Sequence, residues 1–500
     1  MNTDVHPSRH SIIDNPLIHQ DYRQLEAEVE QFYDRLQLES VVDLRTLIKG
    51  ARIAKQRWGH ATPGLSPAEV ATIKEENLET SLSFLHTRGL LVTIMATACA
   101  AITQGWQQST INGSSLLGWE KDLHLDPNNG RDLLVIGSIN AAPWLSGSLI
   151  GTWLSDPLQE KFGRRPALFV AAVFCVALEQ RIAIHGSHYS SVEYCLVWGY
   201  IGSKASIAPI FAAEAAPDRH RGQVLMLWQL FDAFGIFLGF FCVFLVKGSW
   251  RVLLATAIIP AIVLLFLVFI CPESPRFLIQ RNRYVDAYKS LLELRGTPIQ
   301  AARDLYYIHA QLQAEAVTIW NPHEGNSWWS EPEHLYAYQK WIKRGNFFKR
   351  MMYLATNPRT RRACMVALIV MASQQLCGIN VLAFYSSSLL KPDSEYQMTL
   401  FTKPVQIKWY NFGFGLANFL FTLPAYRFID SRGRRPLLLI SLIGMFSSLI
   451  AVSGFFNIED HQTRVILVAV FSSVFFVFFY SIGAGPIPFT LSAEVFPLCR

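Results

Sequence analysis

Long apolar runs separated by short polar breaks dominate the chain from about residue 89 onward. Runs long enough to cross ~30 Å of hydrocarbon as helices lie at 89–107, 131–155, 166–184, 193–213, 223–246, 252–271, 363–390, 405–428, 436–456 and 465–491, ten in all. The third is the least regular, interrupted by Glu179 and Arg181 near its far end. The polar regions carry a different period. Leu25, Val29, Phe32 and Leu36 recur at helical spacing, which predicts an amphipathic helix over 20–38. Ser66-Pro67-Ala68-Glu69 predicts a second helix start, with Ser as N-cap, Pro at the first position and Glu closing a capping box. Two more helices are expected near 284–295 and 300–318. The arm over 1–88 holds no chemical motif and reads as a solvated tail.

Composition agrees with a membrane protein. Of 500 residues 51% are hydrophobic and only 16% charged, and the mean hydropathy is +0.23. With 1–88 placed in the cytoplasm, the inward stretches 156–165, 214–222, 272–362 and 427–435 hold 23 Lys and Arg against 8 in the outward loops. That bias puts the N-terminus inside, in a multi-pass protein of the plasma membrane. These charges flank spans in short clusters, so their partner is lipid and not nucleic acid. The eight cysteines fall mostly within or beside spans and give neither a disulfide framework nor a metal spacing. No nucleophile, metal cluster or acid/base pair is visible in the spans beyond Lys204 and Asp232, and no cofactor motif, so no enzyme is expected.

Two loops are copies of each other. Asp156 and Glu160 precede Gly163-Arg164-Arg165, and Asp430 precedes Gly433-Arg434-Arg435. A glycine turn followed by two guanidiniums can clamp a carboxylate at a neighbouring helix end in one conformation and release it in another. Those carboxylates are duplicated too. Glu214 has Arg221 seven residues on, and Glu494 has Arg500 six residues on, an offset of 280 between the carboxylates against 270 between the two loops. Gln107…Asn112 and Gln375…Asn380 add a third mark at 268. The expectation is an all-α bundle of two parallel six-helix repeats, 89–271 and 363–500, joined by a cytoplasmic linker over 272–362, with a solute path between them. The second repeat has four of its six spans, so the chain reads as short at its C-terminus, either a fragment or an inactive shortened copy.

The polar residues inside the spans carry the candidate chemistry. Gln374, Gln375 and Asn380 lie in an apolar run; on one continuous helix of ~3.6 residues per turn Gln374 and Asn380 would stand about 120° apart, and the three amides are expected to form one broad polar sector. Such an arc of uncharged donors and acceptors suits a polyhydroxylated neutral ligand. Amides that glue helices together are the alternative. Lys204 and Asp232 lie at matching depth on the fourth and fifth spans and can pair, either as a coupling site or as a static salt bridge.

The string Gln374-Gln375-Leu376-Cys377-Gly378-Ile379-Asn380 resembles the signature of the sugar porters, a branch of the major facilitator superfamily. Gly163-Arg164-Arg165, Glu214…Arg221, Pro272-Glu273-Ser274-Pro275-Arg276, Gly433-Arg434-Arg435 and Gly485-Pro486-Ile487-Pro488-Phe489 follow in the same order. Gln300-Ala301-Ala302-Arg303-Asp304-Leu305-Tyr306-Tyr307 is similar to the fungal hexose or myo-inositol branch. The resemblance implies transport of a monosaccharide or polyol by alternating access. It would put Gln229, Gln374, Gln375, Asn380 and Asn418 on the sugar and Phe489 at an aromatic stacking position. Proton-coupled relatives carry an Asp and an Arg where this chain has Gln107 and Tyr194, which leaves facilitated transport and proton symport both open. A membrane sensor that binds sugar without moving it is the rival reading.

Overall fold

In the computed structural model, residues 15–18, 20–56, 64–77, 87–126, 129–185, 191–217, 220–320, 352, 355–356, 358–389 and 403–495 are described. Among them there is no strand. The arm forms α1 (Tyr22–Arg35), α2 (Leu44–Gln56) and α3 (Pro67–Asn77). The first set of long helices is α4 (Arg88–Ser114), α5 (Gly130–Phe162), α6 (Arg164–His185), α7 (Ser191–Ala215), α8 (Arg221–Leu245) and α9 (Trp250–Ile270). Then come α10 (Pro275–Gln280), α11 (Tyr284–Arg295) and α12 (Pro298–Trp320). The last set is α13 (Pro358–Leu376), α14 (Ile379–Leu389), α15 (Pro404–Arg432), α16 (Arg434–Phe455) and α17 (His461–Ser492). Seven segments of this described chain are long and apolar enough to cross a membrane. Their outward faces carry bare apolar side chains such as Leu134, Leu149, Phe266, Phe269, Ile443 and Phe446, each more than 60% exposed, a surface that only lipid would cover.

Small residues let α4 and α8 touch. A Cβ at Gly105 would stand 2.1 Å from the Asp232 carbonyl oxygen, and one at Gly235 would stand 2.3 Å from that of Ile102. The two halves meet along α4 with α14 and along α8 with α15, the latter through Phe240 on Phe414 and Phe237 on Phe412.

The arm departs from the expected solvated tail. Leu25, Val29 and Phe32 of α1 and Leu47, Ala51 and Ala54 of α2 share one core with Phe277, Tyr284, Leu291, Ala302, Leu305 and Tyr306 of α10–α12. The helical stripe visible in the sequence is therefore a docking face, and its partner is the linker, 250 residues away in the chain. Ser66 and Glu69 form the reciprocal capping box, with Glu69 N donating to Ser66 Oγ at 3.2 Å and Ser66 N donating to Glu69 Oε2 at 2.7 Å. A buried ion network ties the arm down. Arg303 grips Glu76 with two bonds of 2.8 Å and meets Asp304 at 2.8 Å; Arg295 takes Asp304 at 2.6 Å and also donates to the Ala215 and Ala216 carbonyls at the end of α7.

Candidate functional site

The seventh run is not one helix. Gly378 has φ +92°, a left-handed conformation that only glycine adopts without strain, and it separates α13 from α14. The helical angle drawn between Gln374 and Asn380 does not carry across that break, so the expected single arc divides. Gln374 is 3% exposed and turns inward, donating through Nε2 to the Gly485 carbonyl at 2.8 Å and reaching Tyr480 Oη at 3.5 Å. The acceptor exists because α17 widens at Tyr480–Ala484 and is interrupted at Gly485-Pro486, which frees backbone groups inside the bundle. Gln229 on α8, also buried, lies close to the same Tyr480 hydroxyl from the other half. Three uncharged polar groups from α8, α13 and α17 thus converge at mid-bundle.

The other amides connect to that point, Gln375 Nε2 donating to Gln374 Oε1 at 3.5 Å. Gln375 is exposed and accepts from Asn380 Nδ2 at 2.6 Å, so these two satisfy each other across the break. Asn418 on α15 is buried, with its Oδ1 accepting from Ser481 Oγ at 2.9 Å beside Tyr480. Phe489 packs against the first-half core around Ala96, Phe211 and Trp228.

Two charges share this depth. Lys204 is 1% exposed, and its Nζ donates to Gln107 Oε1 on α4 at 3.1 Å. It acts on Asp232 through space, while Asp232 Oδ1 is buried and accepts no hydrogen bond. The expected Lys204–Asp232 ion pair is not closed among the described residues, and the ammonium donates instead to the amide of Gln107.

At the end of the bundle where the arm docks, Arg164 Nη2 lies 2.9 Å from Glu214 Oε1, and Glu214 Oε2 accepts from Ser274 Oγ at 2.5 Å. Arg221 donates to the Ala213 carbonyl beside Glu214 at 3.1 Å. Arg165 Nε donates to the Val268 carbonyl at 3.1 Å. Glu160 enters through its backbone oxygen, which accepts from Arg281. Asp156 stands half-buried one turn earlier on α5. Glu273, which the loop motif alone did not single out, caps α6: its Oε1 accepts from the backbone N–H of Arg164 at 3.0 Å, of Arg165 at 3.1 Å and of Ser274 at 2.9 Å. Burial pushes this carboxyl above the usual range in spite of those donors and the Arg164 charge. The carboxylate also fills the space beside Gly163 (φ +102°), where a Cβ would stand 2.5 Å from Glu273 Oε2. In the second copy Arg434 donates to the Ile429 carbonyl at 3.2 Å and Arg435 is exposed. Arg500, the side chains of Asp430, Glu494 and Tyr194, and the Trp328-Trp329 cluster lie outside what is described.

Sequence reasoning missed two centres of this arrangement. Tyr480 sits in a run of phenylalanines and carries no motif. Asn112 was legible only as one mark of a repeat. Its amide bridges one turn of α14, with Nδ2 donating to the Ala383 carbonyl at 2.8 Å and to Ser386 Oγ at 2.8 Å, and Oδ1 accepting from Ser387 N at 3.0 Å. Ser386 and Ser387 in turn bond Asn411 on α15 at 2.7 Å each.

Residues 92–499 match the family described as Sugar (and other) transporter. Among curated relatives, the Galactose-proton symporter of Escherichia coli (strain K12) is 27% identical over 363 residues, 70% of this chain and 68% of that protein. The Solute carrier family 2, facilitated glucose transporter member 2 of Rattus norvegicus is 26% identical over 389 residues (76% and 66%), and the Probable polyol transporter 4 of Arabidopsis thaliana is 29% identical over 375 residues (73% and 64%). The match spans about two thirds of the length of these relatives. Among solved structures, the proton:xylose symporter XylE bound to 6-bromo-6-deoxy-D-glucose aligns with a TM-score of 0.64 at 20% identity, covering 82% of this chain and 83% of that one. XylE from E. coli in a partially occluded inward open conformation aligns at 0.61 and 20%, covering 82% and 85%. The shared fold is the helical bundle of the major facilitator superfamily.

Proposed function

The chain belongs to the sugar (and other) transporter family, carriers and not enzymes, and from that premise we propose that it moves a neutral monosaccharide or polyol across a membrane by alternating access. Hexoses and myo-inositol are the candidate solutes, in keeping with the resemblance to the fungal branch. The plasma membrane, with the arm on the cytoplasmic side, is the orientation that the placement of Lys and Arg favours.

One observation carries the reading: Gln229, Gln374 and Tyr480, from both halves of the bundle, bring uncharged donors and acceptors to a single point between them. Each amide offers both a donor and an acceptor, which matches a hydroxyl and repels neither charge. Gln375, Asn380 and Asn418 are bonded among themselves, to Gln374 or to Ser481 and can exchange those bonds for sugar hydroxyls as the halves rock. Phe489 supplies an apolar face beside them. The Arg164–Glu214 pair, held by Ser274 and Arg221, acts as a latch that one conformation closes. In the second copy Arg434 and Arg435 with Asp430, and Arg500 with Glu494, take the corresponding part.

Reconstituted protein should exchange labelled sugar from a panel of hexoses and polyols. Gln374→Ala and Gln229→Ala should each raise KM about tenfold, as the loss of a hydrogen bond to a neutral ligand predicts. Binding without exchange would reassign the protein as a sensor. Neither binding nor exchange for any member of the panel would mark an inactive copy.

A further inference from the structure

We infer that the docked N-terminal arm is a brake on transport. Held against the linker, it pins the turn between α7 and α8 that carries the latch, and undocking it frees that turn. The inference deepens the transport reading and rests on it. The arm lies outside residues 92–499, so it is an addition to the part of the chain that matches the family.

Two contacts run from one residue, Glu76 in the last turn of α3, to the two sides of this turn. On the α7 side, the Glu76 carboxylate takes Arg303 with two bonds and Gln300 Nε2 with a third at 2.9 Å. Arg303 shares Asp304 with Arg295, and Arg295 donates to the Ala215 and Ala216 carbonyls at 2.7 and 3.2 Å. Carbonyls at a helix end have no partner within the helix, so a guanidinium whose own place is set through the arm fixes where α7 stops. The latch carboxylate, Glu214, is the residue just before them. On the α8 side His220 stands between arm and bundle, with Nε2 3.4 Å from the Glu76 carbonyl oxygen and Nδ1 3.1 Å from Gln223 Oε1. Tyr426 of α15, in the second half, donates to the same Gln223 oxygen at 3.4 Å. The arm thus reaches both the latch and a contact between the halves.

The arm and this network move together. A Cβ at Gly50 of α2 would stand 2.7 Å from the Arg303 backbone nitrogen and 2.9 Å from the Ala302 carbonyl carbon, so α2 touches α12 backbone to backbone at the hub of the network. Opening the latch takes Glu214 away from Arg164 and Ser274 and shifts the end of α7 against Arg295. With the arm docked, that shift breaks a buried network or drags the arm from its seat. The docked arm therefore favours the latched conformation, since a group that binds one of two states better shifts the population toward it. Reciprocity requires that the open latch, in turn, weaken docking.

The test uses the full chain and three readouts: hydrogen exchange over 22–77 for docking, over 211–217 for the end of α7, and exchange of labelled sugar in proteoliposomes for the rate. Gly50→Leu puts a side chain where two backbones meet, so it should expose 22–77 and loosen 211–217. Its rate at saturating sugar should rise about threefold or more, as expected where a conformational step limits turnover. Glu76→Ala spares the apolar seam and should move all three readouts the same way by less; it decides the matter if Gly50→Leu does not fold. An arm that only supports the fold would lower the rate instead. Three results would overturn the inference: 22–77 exposed with the rate unchanged or lower; a faster rate with 211–217 as protected as in the parent; or 22–77 still protected in every variant that folds. A parent that exchanges no sugar removes the transport reading, and the brake falls with it, whereas a parent that transports at the same rate docked and undocked removes the brake alone.

Discussion

Asn112 shows what one amide does inside an apolar bundle. The Ala383 carbonyl and the Ser387 N–H face each other one turn apart in α14, and Asn112 bonds both from the other half of the molecule. A leucine there leaves buried backbone groups to find other partners, at a cost of about 1–3 kcal/mol. Asn112→Leu is therefore expected to lower the melting temperature of the purified protein in detergent, while Ser386→Ala, which keeps both backbone bonds, shifts it much less. At the same scale Gln374 and Gln375, adjacent in sequence, differ in burial: one is enclosed in the bundle and the other is exposed, though the two share a hydrogen bond of 3.5 Å. Neighbouring residues differ by 100° around a helix, and only the packed neighbours decide which of two identical side chains is enclosed.

Among the elements, α1 and the seventh run carry the clearest lessons. The stripe Leu25, Val29, Phe32 was readable from its spacing, yet what covers it was not, because periodicity specifies a face and never its partner. Phe32 lies against Tyr284, Tyr306 and His309, and the Tyr284 hydroxyl meets His309 Nδ1 at 2.9 Å. Burial, with a smaller push from Arg35, lowers the His309 pKa to about 3. The folded state thus binds that proton less readily than the unfolded arm, so the stability that His309 lends to docking is complete above its ordinary value of 6.5 and is lost as pH falls from there toward about 3. Protease or hydrogen-exchange protection of α1 should fall with acidification through that window. His309→Phe should flatten the dependence. The seventh run offers the opposite case: its amides and glycine were all visible, but the left-handed turn at Gly378 had to be seen before their directions were known.

At the scale of the whole molecule, the arm and linker form a helical cap joined to the end of α7. The chain of contacts runs from Glu76 through Arg303, Asp304 and Arg295 to the Ala215 carbonyl, one residue beyond the latch carboxylate Glu214. Both partners of the Glu76–Arg303 pair are at least 90% buried, so salt should weaken it little. Arg303→Ala leaves the buried Glu76 carboxylate without its cation, Asp304 keeping Arg295, and should cost ~3–5 kcal/mol of docking. Arg303→Met with Glu76→Leu should cost much less. Hydrogen exchange over 22–77 reads both, and the first variant should expose that segment while the core of the bundle stays protected.

The sequence by itself determined that this chain lies in a membrane as helices, which side of each loop carries charge, and that its two halves repeat, because hydrocarbon imposes a length and a polarity that a single strand of residues already displays. It also supplied the cast of the candidate site, Gln229, Gln374, Lys204 and Asp232. Tertiary structure alone decided that Tyr480 stands at the meeting point, that Lys204 bonds Gln107, that Glu273 caps α6, and that the arm is docked. Hydrogen-bond partners and burial depend on which helices come side by side, and that is set by packing between segments far apart in the chain.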